Sequence, residues 1–85
     1  MSIKSEKLDY DYDKNHDVLY ISIGNPKPSY SDEILPGIFL RRDFETDEVT
    51  GLTILNLRSQ LRQNSFLLNQ LPIEMDIKEF EKWTQ

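Results

Sequence analysis

The hydrophobic period of this chain changes once, near Asn56, and that change restricts what it can fold into. Before it lie strand-like runs, and in the first of them apolar residues recur at every second position. Leu8, Tyr10 and Tyr12 alternate with Asp9, Asp11 and Asp13, the pattern of a strand with one face in a core and the other in water. After it, Leu57, Leu61, Leu68 and Leu71 fall within about 80° on a helical wheel turning about 100° per residue. Strands followed by helices define an α+β domain, because a sheet with an apolar face needs a second layer over it.

The strands follow from composition and turn chemistry. The first runs from Leu8 to Asp13. The stretch "DKNHD" is rich in Asp and Asn, which hydrogen-bond to nearby backbone and favour turns. Val18 to Ile23, "VLYISI", is β-branched and aromatic, and reads as the second and more central strand of a hairpin. Pro26 and Pro28 in "GNPKPSYS" interrupt the pattern, since proline donates nothing to a ladder. A third strand is expected over Ile34–Arg42, with Pro36-Gly37 as a bend or bulge near its start, and a fourth over Val49–Leu55, with Gly51 a point of bend or close approach. The expected architecture is a four-stranded antiparallel β-meander over residues 8–56, followed by one or two helices over residues 57–85 packed on one face, in a single domain. The first helix is expected from Leu57 to Asn69, with Asn64-Ser65 a candidate break and Leu71-Pro72 its end. A second runs from Ile77 to Trp83, with Asp76 and Glu79 at capping-box spacing.

Composition excludes several activities. At 85 residues the chain suits one small domain, and it has no apolar run near the ~20 residues of a membrane span. It contains no cysteine, and its first residues lack the apolar stretch of a signal peptide, so the expected compartment is the cytoplasm. The net charge of −5 is uneven: residues 1–56 hold 6 Lys/Arg against 11 Asp/Glu, while residues 57–85 hold 4 of each. An acidic domain repels phosphate backbones, which disfavours nucleic acid as a partner.

Between Tyr12 and Ile21 the order is Tyr-Asp, a short polar turn, Asp17, an apolar residue, then Leu19-Tyr20-Ile21. This resembles the opening motif of a prokaryotic family, the domain of unknown function 2283. Val49–Leu55 is similar to the family's closing strand, so the resemblance spans roughly Leu8 to Arg58. The chain departs from the family pattern at Thr53, where the family often carries an acid, and in the turn Glu45–Glu48, where it tends to carry glycine. The resemblance brings no catalytic residues. It implies small accessory proteins, some beside toxin-like partners, and so an antitoxin-like or other binding role.

The candidate sites divide by chemistry. Asp9, Asp11 and Asp13 have the opening spacing of an EF-hand loop, but Lys14 stands where its glycine belongs and Tyr20 where its glutamate belongs. His16 is the single histidine, and zinc usually takes several His or Cys ligands. No nucleophile elbow, phosphate loop or dinucleotide fingerprint occurs, and no cofactor is expected. Asp13 and Asp17 are instead expected to organise the hairpin turn. Arg41, Arg42, Arg58 and Arg62 form a candidate anion patch, and Tyr10, Tyr12, Tyr20 and Tyr30 a candidate stacking platform. Phe80 and Trp83, on a short C-terminal helix, are candidate interface anchors. The resulting expectation is a non-enzymatic interaction module, a homo-oligomer or one half of a small complex. The alternatives are a metal-binding protein or small enzyme built on the acidic hairpin, and a weak nucleic-acid binder using the arginines.

Overall fold

A computed structural model of the chain describes residues 8–25, 27–71 and 77–84. Its strands are β1 (Leu8–Asp13), β2 (Val18–Ile23), β3 (Ser29–Leu35), β4 (Ile38–Asp43) and β5 (Val49–Leu55), followed by helices α1 (Leu57–Leu68) and α2 (Ile77–Trp83). The sheet is antiparallel, in the order β1-β2-β5-β4-β3.

The sheet therefore has five strands, not the expected four. The single strand expected over Ile34–Arg42 is two, β3 and β4, joined tightly at Pro36-Gly37. Leu35 pairs with Ile38 across that turn, and Gly37 takes a φ of 78°. Proline followed by glycine at positive φ is the chemistry of a type II turn, so the dipeptide ends one strand and starts the next rather than bending one. The Glu33 carboxylate accepts the Gly37 N–H at 3.1 Å. β3 escapes a hydrophobicity reading because it is an edge strand in which every residue is exposed or half-buried.

The connectivity also differs from a simple meander. β5 lies between β2 and β4, so β2 to β5 form a Greek key. From β2 to β3 is three strand spacings, about 14 Å, within reach of five linking residues at about 3.3 Å each. At this end of the sheet Phe44 N–H donates to the Pro28 carbonyl at 3.2 Å, and the Ser29 and Thr50 hydroxyls share a 2.8 Å hydrogen bond. Gly51 permits the close pairing of β5 with β2: a Cβ there would stand 2.5 Å from the Ile21 carbonyl oxygen.

Cross-strand partners place the core on one face. Leu19, Ile54 and Ile38 form one buried row, and Ile21, Leu52 and Leu40 the next. Leu57 and Leu68 of α1 and Phe80 of α2 are fully buried against them, while Leu61 and Leu71 pack at the margin. The leucine stripe read from the sequence is thus the buried stripe of α1, and the helix runs unbroken through Asn64-Ser65. The proposed cap at Asp76 and the stop at Pro72 lie outside the described residues.

Candidate functional site

The turn between β1 and β2 reaches the start of α1. Asp17 adopts a φ of 58°, a left-handed conformation that Asp tolerates better than most residues. In that conformation its carbonyl accepts the Leu57 N–H at 3.0 Å, and its carboxylate accepts the Arg58 N–H at 3.2–3.3 Å. The carboxylate thereby satisfies an orphan donor of the first helical turn from 41 residues away in the chain, the work of an N-cap done from outside the helix. The Tyr12 hydroxyl donates to the same carboxylate at 2.6 Å. Partial burial, and then this bond to an anion, push the Tyr12 hydroxyl up to about 12.

Asp13 stays within its own turn. Its carboxylate accepts the His16 backbone N–H at 3.2 Å and lies 2.8 Å from Nδ1 of the His16 ring. These two bonds, the ring's first, hold the Asp13 carboxyl below the usual carboxylate range. Among the described residues, no three His, Cys, Asp or Glu side chains group so as to hold a metal ion.

The other residues singled out in the sequence disperse. Phe80 is fully buried in the chain's own core, and its ring packs 5.6 Å from Tyr10 and 5.4 Å from Trp83. Trp83, half-buried, also lies 5.5 Å from Tyr10 and stacks at 6.5 Å on Tyr12. Tyr10 and Tyr12 therefore hold α2 on β1, and Tyr20 and Tyr30 stand elsewhere. The arginines do not converge. Arg42 donates to the Asp47 carbonyl at 3.1 Å and lies 3.9 Å from Asp32, while Arg58 and Arg62 line a cleft of about 260 Å³ between α1 and α2 with Leu61, Glu81 and Thr84. Arg58 Nε donates to the Thr84 carbonyl at 3.3 Å, and Glu81 offsets part of the positive charge.

Opposite the core lies a surface that no sequence motif marks. The residues between the core positions share it, in rows set by pairing: Asp9, Ser22, Gly51, Arg41 and Ser31; then Asp11, Tyr20, Thr53, Phe39 and Glu33. The core side chains of β2, β4 and β5 belong to the other face. Tyr20 is 45% exposed, and Phe39, Thr53, Val18 and Leu55 are half-buried. Thr53, where the family pattern often carries an acid, sits at the centre between Tyr20 and Phe39. The signal was present in the sequence: in "VLYISI" and "IFLRR" the second member of each alternation is aromatic, hydroxylic or cationic. Asp47 of the β4–β5 turn takes a φ of 62°, a left-handed conformation that glycine adopts without strain.

No helix among the described residues is long and apolar enough to cross a membrane. The chain matches no curated protein and no solved structure. It does match a family described as "Protein of unknown function (DUF2283)" over residues 9–58, more than half its length. The matched segment takes in most of β1, the four strands that follow, and the first two residues of α1. It ends on Arg58, the residue whose N–H the Asp17 carboxylate holds. The chain belongs to the DUF2283 family.

Proposed function

We propose that the chain is a non-enzymatic protein-interaction module that docks a partner on the open face of its sheet. The observation that carries this reading is the one-sided cover: two helices close the face of Leu19, Ile21, Leu52 and Ile54, while the face of Tyr20 and Phe39 carries no described element. Aromatic residues on a rigid sheet bring large contact area at little entropic cost, as interface residues do. The occupant is a second copy or a small partner protein, and an accessory or antitoxin-like role in the cytoplasm is the form this takes.

Affinity capture from the native host, with the intact chain and with a Tyr20→Ser/Phe39→Ser variant, tests the reading alongside the chain's mass by light scattering at high micromolar concentration. Capture or self-association that the variant abolishes supports it. A monomer that captures nothing, or whose captured protein is retained equally by the variant, overturns it.

A further inference from the structure

We infer that the occupant of the open face is a cationic, amphipathic segment of a partner protein rather than a second copy of the chain; this rests on the reading of that face as a docking surface. The middle row runs Asp11, Tyr20, Thr53, Phe39, Glu33. Its acids stand on the two edge strands and its aromatic residues between them. Four strand spacings separate Asp11 from Glu33, about 19 Å. Asp9 and Asp13 extend the acidic edge on β1, at about 7 Å from Asp11 along the strand.

Against these four carboxylates, of which Asp13 also holds His16 and Glu33 also accepts the Gly37 N–H, the two rows hold one cation, Arg41, whose stem lies over Gly51. A symmetric contact would set this patch against itself. Acidic rim would then meet acidic rim, with one arginine per copy against four acids, in a chain already at −5. A segment with Lys or Arg at both ends and apolar side chains between them meets the opposite condition. Its cations pair with the two edges, their alkyl stems lie along the rim, and its apolar residues cover Tyr20 and Phe39. A span of about 19 Å corresponds to about six residues of strand or about thirteen of helix.

The probe is a synthetic thirteen-residue amphipathic peptide with lysines toward both ends and leucines on one face, beside a counterpart with glutamate for lysine. Binding is read by amide shift mapping on the full chain labelled with ¹⁵N. The lysine peptide is expected to shift Tyr20, Phe39, Arg41 and Thr53, while the glutamate peptide leaves them unmoved. An Asp11→Asn/Glu33→Gln variant, which keeps an acceptor at each site, is expected to weaken binding by about tenfold, and so is a rise to about 0.5 M salt. Equal binding of the two peptides at this face, or undiminished binding by the variant, overturns the inference and leaves the docking reading standing. Self-association mapped to this face does the same in favour of a second copy. A face silent toward both peptides and toward itself overturns the inference and the docking reading together.

Discussion

On β2, Leu19 and Ile21 are 0% and 1% exposed, while Tyr20 between them is 45% exposed. The same contrast runs across the sheet: Ile38 and Leu40 are buried on either side of Phe39, and Leu52 and Ile54 on either side of Thr53. One alternation builds both faces, and the sheet itself treats them alike. The helices make the difference. α1 starts at Leu57, two residues after β5 ends, with Asn56 between them at a φ of 53°, and α2 is held on the same side by the rings of Tyr10 and Tyr12. The closed face is where this protein stores its stability, and on the open face, Gly51 apart, substitution costs the fold little.

The comparison breaks most visibly at Phe80. Truncating a fully buried phenylalanine typically costs about 3–5 kcal/mol, so Phe80→Ala is expected to unfold a large fraction of so small a domain in a chemical denaturation series. Phe39→Ala, the same change on the open face, is expected to cost about 1 kcal/mol. Similar losses at the two sites would mean that something covers the open face in the folded chain.

A smaller effect is expected where the first hairpin meets α1. Asp17→Ala removes two contacts to charged oxygen and sets alanine at a φ of 58°, a combined loss of about 2–3 kcal/mol. Asp17→Asn keeps an acceptor and the left-handed tolerance, and should lose about half as much. Tyr12→Phe isolates one bond, worth about 1–2 kcal/mol. Its pH dependence has a definite sign. An unfolded tyrosine titrates near 10 and Tyr12 near 12 in the fold, so the bond contributes fully below pH 10 and is lost as pH rises through 12. Melting temperatures of the parent should therefore fall toward those of Tyr12→Phe across that window. Tyr30, whose hydroxyl is also raised by its bond to Asp47, leaves a residual slope of the same sign in both proteins.

The smallest contrast lies within the acidic strand. Asp13→Ala is expected to lower the melting temperature at neutral pH, and Asp9→Ala to leave it unchanged, because Asp13 holds His16 by two bonds whereas Asp9 faces water. The Asp13 carboxyl is depressed in the fold. Its contribution is thus present above the unfolded carboxylate range and disappears as pH falls through the folded value, so parent and Asp13→Ala should converge in acid. Equal effects of the two substitutions at pH 7 would remove Asp13 from the turn's support.

Much of this was legible without coordinates. β1, β2 and β5 occupy the residues that alternation, in β1, and β-branched and aromatic composition, in β2 and β5, assign them, and α2 runs over the expected Ile77–Trp83. α1 starts at the expected Leu57 and stops one residue before the expected Asn69. β3 was hidden because "SYSDEIL" carries no apolar alternation and is mostly polar before Ile34, and an edge strand needs no apolar pattern to pair. Its one local signal, Pro36-Gly37, fits a bulge as well as a turn until the partner strand is known. The open face was legible residue by residue but not as a surface, since the rows that join Asp11 to Glu33 exist only once the strand order is set.

The sequence by itself determined β1, β2, β5, both helices and the buried faces of β1 and α1, because period and turn chemistry act over a few residues. The tertiary structure decided the rest: that Ser29–Leu35 pairs as an edge strand, that β5 inserts beside β2, and that Asp17 caps a helix 41 positions along the chain. Those outcomes depend on which apolar faces meet when the chain collapses, and that is a property of the whole sheet.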